Sequence, residues 1–582
     1  MLWLVLMTAC ESSNQPIGQQ PNAGLHQLFN SYWETHLRLY PLEATAIGDT
    51  RYNDRLPISI SSTYRDTLRN FYQAYLDSMQ AFNETLHAED EISRELFIYE
   101  MQTNLQALKY PGHLMPINQF WSFTLEFPQL GSGSGNQPFN TQTDYLNFLQ
   151  RMKRFPAWCD TAMANMRVGI SQNIVLPKVL AERVVPQLRQ VMTTDPTKSI
   201  FYQPVLNLPK QWSDSTKKDI QNRYFYEISH SIIPAYNKLL NFFQKEYIPV
   251  CRETDGYAGL PDGANWYQQT ISYFTTTTLQ ADSIYQLGLQ EVDRLSAEMD
   301  KVKVQVGFKG SLQEFFEFMN SDPQFFPFQT AQEVLDSFWA IHKLEIPQLK
   351  KLFVAEPKTR FEIRQTEAFR AASASAEYNA GSEDGKRPGV FYVPILDPRK
   401  FNIVGMETLF LHEAIPGHHY QISLQQENKS LPQFRKYLGY SAYAEGWALY
   451  TETLGPDLGL YKNPYQYFGH LSDAMHRAIR LVVDVGLHTG KMSHDAAIAY
   501  MQSHERISPE EARAEIERYM AIPGQALSYK IGQLRISSLR KQLEKKLGPR
   551  FSLPQFHEQI LNGGNMPLQV LEKKLQRWAD NL

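Results

Sequence analysis

The chain has 582 residues, enough for up to about four domains at ~150 residues each. Its 57 basic against 61 acidic side chains leave a formal charge of −4, so no basic face invites a polyanion and nucleic acid is excluded as a partner. Three cysteines, Cys10, Cys159 and Cys251, with no C-x-x-C pair, exclude a disulfide framework and a thiolate metal site. Apolar residues at 43% and aromatics at 13% describe a folded chain.

The first nine residues, MLWLVLMTA, are apolar and end in small residues before Cys10 and a polar run. Nine residues cannot cross a bilayer, which takes about 20 in a helix. The pattern resembles a bacterial lipoprotein signal, in which cleavage exposes Cys10 for lipidation. That resemblance implies a cell-envelope protein on the periplasmic side, touching the membrane only through a lipid on Cys10. Residues 11–25 then read as a flexible tether. Nothing later approaches a transmembrane run, and no fixed-period repeat is present.

From residue 26 onward apolar residues recur three and four apart, most clearly over 220–247, 283–304, 331–353 and 464–489. The reading is a mainly α fold of many helices. Its loops at 131–138, 254–263 and 383–389 are too short to be domain linkers. We therefore expect one helical unit over 26–582, with the N-terminal half as the wall of a deep cleft and about 360–582 as the working half. One run, VFYVPIL at 390–396, is strand-like, and Pro394 points to the edge of a small sheet. An edge there would let an extended peptide pair beside Val390 and Tyr392.

About twenty residues on comes METLFLHEAIPGHHYQ, 406–421. Zinc takes neutral imidazoles and a carboxylate and leaves a position for water. His412 is a natural first ligand, and the adjacent Glu413 could take that water's proton. The ordinary second histidine of H-E-x-x-H would stand at 416, which is Pro416. On an ideal helix His419 returns closest to the face of His412, but Pro416 cannot donate to the His412 carbonyl, so a kink is expected inside the motif. His418 and His419 both stay open on this reasoning. Downstream, SAYAEGWALYTETL carries Glu445 and Glu452 seven apart on one helical face. Glutamate-liganded metallopeptidases place their third ligand on a separate downstream helix, and Glu445, 27 residues past His418, fits that slot. Glu452 is better cast as a partner to a ligand, or as a surface charge.

HEAIPGHHYQ, YAEGWALYTE, DGKRPGVFYV and RYMAIPGQALSYKIG together resemble the bacterial family called domain of unknown function 885. Its members are often lipoproteins and resemble, in helical fold and site layout, metallocarboxypeptidases and oligopeptidases of the glutamate-zincin clan. The resemblance covers the chain from about residue 26 to the end and implies a zincin-like fold. It makes His418 the second ligand, since the histidine after the Pro-Gly pair is followed in that family by His or Tyr. It also implies hydrolysis of peptides by a metal-activated water with Glu413 as general base. Relatives with this layout use a late Tyr or His to stabilise the oxyanion, for which Tyr529, Tyr519 and His488 are candidates. A carboxypeptidase also needs a cation for the terminal carboxylate, and Arg480, Arg477 and Lys530 are nearest by motif.

Blander readings apply to several of these. Arg477 and Arg480, three apart, equally suit a salt-bridged helix face. Most of the 31 tyrosines must be packing residues. Two other functions fit the same residues: a metal-binding surface lipoprotein without catalysis, and a zinc hydrolase of another amide or an ester. Oligomeric state is not legible in the sequence.

Overall fold

The computed structural model describes residues 21–367, 375–382, 385 and 387–582. Cys10, the signal and most of the tether lie outside them. The described chain is mainly α with one small sheet.

Helices α1 (Ala23–Leu39), α2 (Ala88–Ala107), α3 (Gln142–Ser171), α4 (Ala281–Gln305) and α5 (Ala331–Leu352) come first. They begin where capping chemistry allows. Thr330 and Glu333 form a reciprocal capping box at α5, and Thr141 and Asp144 do the same at α3. The helix expected over 220–247 is interrupted: wider π-type turns occupy Ile228–Ile232 and Phe243–Tyr247, on either side of the α-helical stretch Ile233–Phe242. Pro234 explains the first, since it has no N–H for its i−4 carbonyl and the ladder must bulge around its ring.

The sheet follows, with β1 (Phe361–Gln365), β2 (Glu377–Asn379) and β3 (Gly389–Val393) in the order β1-β3-β2. The expectation of an edge strand is wrong here. β3 is central, parallel to β1 and antiparallel to β2, with Phe391 opposite both Ile363 and Tyr378. Pro394 lies just past the last paired residue, so it ends the ladder without opening a side of it. Val390, Phe391 and Val393 are buried, as a central strand requires. With both its neighbours in place, β3 offers no backbone at Val390 or Tyr392 for an added peptide strand.

The remaining helices are α6 (Met406–Glu413), α7 (His418–Glu427), α8 (Ser441–Glu452), α9 (Pro464–His488), α10 (Pro509–Ala521), α11 (Leu527–Leu547) and α12 (Leu568–Asp580). α9 is capped by Asn463 with Pro464 in its first turn, and every residue from Ala478 to His488 is buried. One apolar core joins the two ends of the chain: Phe29 of α1 and Phe97 of α2 pack on Phe434, and Leu571 and Leu575 of α12 belong to the same cluster. Cys159 and Cys251 are free thiols. In the PQFFPFQ patch, Phe325 and Phe328 are buried core residues.

α8 and α11 cross at two glycines. A Cβ on Gly532 would lie 1.9 Å from the Ala442 carbonyl oxygen, and one on Gly446 would lie 2.5 Å from the Gly532 Cα. Only bare backbones fit there. We predict that Gly532→Ala destabilises the protein by about 1–3 kcal/mol through overpacking, read as a lowered unfolding midpoint. Gly439→Ala, where a Cβ meets nothing within 4 Å, should leave the midpoint unchanged.

Candidate metal centre

The HEAIPGHH segment folds as two helices with a break between them. α6 makes its last bond from the Ala414 N–H to the Phe410 carbonyl, and α7 restarts at His418. Between them the chain doubles back so tightly that a Cβ on Gly417 would fall 2.0 Å from the His412 carbonyl oxygen. Glycine is required by that close approach. α8 clamps the break from below. Trp447 Nε1 donates to the Pro416 carbonyl at 2.9 Å, and the Thr451 hydroxyl donates to the Leu411 carbonyl at 2.9 Å.

This turn aims His412 and His418 at one point, their rings edge to face with centroids 4.9 Å apart. Glu445 of α8 completes a triad whose ligand atoms all lie within 4.8 Å of one another. Its Oε2 stands 3.5 Å from His412 Nε2 and 3.6 Å from His418 Nε2. Ligands on a tetrahedral zinc with bonds of about 2.0–2.2 Å are roughly 3.3–3.6 Å apart, so the spacing fits. Two further observations suit a metal. Glu445 Oε2 is buried and takes no hydrogen bond at close range, with only the two imidazoles at ion-pair distance to compensate its burial. His412 Nδ1 donates to Glu452 Oε1 at 2.8 Å, which leaves Nε2 as the free lone pair and makes the carboxylate–histidine pairing common around metals.

Burial opposes a charge on both sides of this cluster, yet the carboxylates Glu445 and Glu452 raise the pKa of His412 well above the usual histidine value. Burial likewise pushes Glu445 up, and the two imidazoles outweigh it and hold its carboxyl well below the usual range. Without metal the triad is an ion pair, and a bound cation would replace a proton.

Glu413, next to the first histidine, is half-buried and makes no hydrogen bond or ion pair among the described residues. His419 turns the other way. Its Nδ1 is 2.9 Å from the Tyr378 hydroxyl of β2, and its ring packs on Phe361 of β1. The structure therefore brings together His412, His418 and Glu445, and leaves His419 to tie α7 to the sheet.

The late-helix candidates separate by what they already hold. His488 is committed on both nitrogens: Nε2 donates to the Tyr519 carbonyl at 3.0 Å and Nδ1 accepts from the Tyr257 N–H at 3.2 Å. Burial takes its pKa down to about 3, and it joins no ligand cluster. The Tyr519 hydroxyl donates to Glu515 and accepts from Arg480, whose Nη2 also pairs with Glu515 at 3.1 Å. Lys530 is buried against Glu291 at 3.1 Å. All four side chains are buried and hold partners within the fold, and Arg480 keeps one donor, Nη1, without a partner.

Two candidates make no polar contact of their own. Arg477 stacks over the Tyr529 ring at 4.8 Å, and neither side chain makes a hydrogen bond or ion pair among the described residues. Arg477 belongs to a stripe on α9 whose members His470 and Asp473 sequence reasoning missed. His470 lies 3.8 Å from Glu452, and Asp473 stands exposed three residues on along the same helix. Spacing of three, seven and ten from His470 to Asp473, Arg477 and Arg480 was the available signal.

A model of the family described as "Bacterial protein of unknown function (DUF885)" matches residues 41–575. The chain belongs to this family. Among solved structures, a candidate lipoprotein from Colwellia psychrerythraea is 26% identical with a TM-score of 0.88, over 96% of this chain and 99% of that one. A candidate lipoprotein of unknown function from Shewanella oneidensis shares the fold at 20% identity and a TM-score of 0.76, over 95% of this chain and 100% of that one. No curated protein matches the DUF885 chain. No helix among the described residues is long and apolar enough to cross a membrane.

Two substitutions test the geometry directly. We predict that His418→Ala abolishes stoichiometric zinc uptake in a competitive chelator titration, whereas His419→Ala retains it. Glu452→Gln should retain the site but weaken zinc by about 10–100-fold.

Proposed function

We propose that this protein is a zinc-dependent peptidase of carboxypeptidase or oligopeptidase type. The observation that carries the reading is the convergence of two imidazole nitrogens and an unsatisfied carboxylate oxygen beside an unengaged Glu413. A structural zinc site would be closed by a fourth protein ligand and would need no adjacent base. When bound, zinc supplies Lewis-acid activation of a water and of the scissile carbonyl.

The chain's own residues supply the rest. Glu413 accepts the proton of the attacking water and returns it to the leaving amine. The Tyr529 hydroxyl, with no competing partner, is the donor available to a developing oxyanion. Arg477, unpaired where Arg480 is paired, is the cation left for a substrate carboxylate, and its bidentate guanidinium suits that group. Its stacking on Tyr529 holds both donors in one place. Glu452 keeps His412 in the tautomer that presents Nε2.

We also infer attachment to the bacterial cell envelope by a lipid on Cys10. The motif around Cys10 supports this, and so does the Colwellia structure, which is described as a candidate lipoprotein. Membrane fractionation of Cys10→Ser should show release from the membrane, and unchanged fractionation would count against the anchor.

The deciding experiment pairs metal analysis with a peptide-library digest of the wild type and Glu413→Gln. Glu413→Gln should keep its zinc and cut about 10²–10⁴-fold more slowly. Stoichiometric zinc with no Glu413-dependent cleavage of any peptide would reject the peptidase and leave a metal-binding lipoprotein, or a hydrolase of other bonds. Arg477→Met should raise KM for substrates with a free C-terminus by about tenfold or more and leave C-terminally amidated ones unaffected.

A further inference from the structure

Three cavities outside the metal centre share their walls. One of about 740 Å³ and one of about 340 Å³ have Arg65, Gly112 and His113 in common. A third, of about 310 Å³, shares Trp121 with the first and Tyr273 and Phe274 with the second. They form one groove. Its inner end is walled by Tyr440, Ser441 and Gln525. Ser441 opens α8, and its hydroxyl lies 2.7 Å from that of Ser528 in α11. Glu445 of the triad is one helical turn further along α8, about 6 Å along the axis.

The inner chamber has an acidic and aromatic lining. Glu100 of α2 forms its wall beside Tyr99, Tyr273, Tyr440 and Trp121. The Glu100 carboxylate accepts from the Tyr440 hydroxyl and, at 3.4 Å, from Asn104 Nδ2. No lysine or arginine pairs with it among the described residues. A half-buried carboxylate with no lysine or arginine beside it is costly, and burial raises the Glu100 carboxyl above its usual range although the Tyr440 bond and the more distant His36 oppose this. A cation in the chamber would supply the missing compensation. The rim is built for the same guest: Trp121 is 58% exposed and Tyr273 46%, an arrangement whose ring faces attract cations. Glu43 and Glu126 line the outer chamber. Arg65, the one arginine or lysine on these walls, spends its guanidinium on the Leu108 and Tyr110 carbonyls.

We propose that this groove binds a lysine or arginine side chain of a peptide, with the Glu100 carboxylate as counter-charge inside the cage of Tyr99, Tyr273, Tyr440 and Trp121. The peptide nature of the ligand rests on the proposed function; the selection of a cation does not. The site would set substrate preference toward basic residues a short distance from the bond being cut.

The test uses the full chain carrying Glu413→Gln, so that peptides bind without being consumed. Calorimetry compares acetylated and amidated Ala-Lys-Ala with the uncharged Ala-norleucine-Ala. The lysine peptide should bind about tenfold or more tightly. The near-isosteric Glu100→Gln, whose unfolding midpoint checks the fold, should erase that difference and leave norleucine binding unchanged. Trp121→Ala, at an exposed position, should weaken the lysine peptide severalfold. Equal binding of the two peptides, or a preference that survives Glu100→Gln, overturns the proposal. So does spermidine binding more tightly than the lysine peptide, which would make a free polyamine the ligand. A lysine preference in a protein whose wild type cuts nothing would reject the peptidase reading alone, and cleavage with no lysine preference would reject this one alone.

Discussion

The candidate metal centre depends on a break in a helix. Had α6 continued past Glu413, His418 would have pointed about 120° away from His412, six residues on at 3.6 residues per turn. Pro416 has no N–H for the His412 carbonyl and so cannot continue the helix, and Gly417 lets the chain fold back within 2.0 Å, measured from a hypothetical Cβ, of the His412 carbonyl oxygen. α7 then starts with His418 facing the first ligand and His419 facing the sheet. The same two residues that spoil the ordinary H-E-x-x-H spacing create the replacement.

A break of this kind is held by what packs against it. α8 does so with Trp447 and Thr451 on the carbonyls of the turn, while Tyr443, Trp447 and Tyr450 are buried almost completely beneath it. Burying such side chains contributes roughly 1.5–3 kcal/mol each, and the cost of an unsatisfied triad is set against that. The crossing at Gly446 and Gly532 brings α11 close to α8, one residue from Glu445. Through α11 the position of Tyr529 is tied to the same crossing, and through Tyr529 so is the stacking of Arg477. The candidate ligands, base and substrate-binding groups thus share a single seam of α6, α8, α9 and α11.

Buried polar groups near this seam fall into two kinds. Tyr519, Glu515, Lys530, Glu291 and His488 satisfy one another, Arg480 or the backbone and stiffen the helices, while Arg480 itself keeps Nη1 without a partner. Glu445, Arg477, Tyr529 and Glu100 lack the partner their chemistry calls for, or have only a ring or a hydroxyl in its place. The second kind is where we place the proposed ligands, since a polar group left without a partner inside a fold is open to one from outside.

Much of this was legible in the residues themselves. Periodicity of three and four gave the long helices: 464–489 was expected and α9 spans Pro464–His488, because an amphipathic stripe is written locally. His412, Glu413, Glu445 and the role of Glu452 follow from residue type and spacing, and Pro416 announced the kink. The central position of β3 was not readable, since which strands flank it depends on Ile363 and Tyr378, far along the chain. Nor could spacing distinguish Arg477 from Arg480: both lie on one face of α9, and only Glu515, brought over by α10, decides which is already paired. Local sequence determined the helices, the break and the ligand types. Tertiary packing decided which polar groups are satisfied and which are left open, because that depends on neighbours from distant parts of the chain.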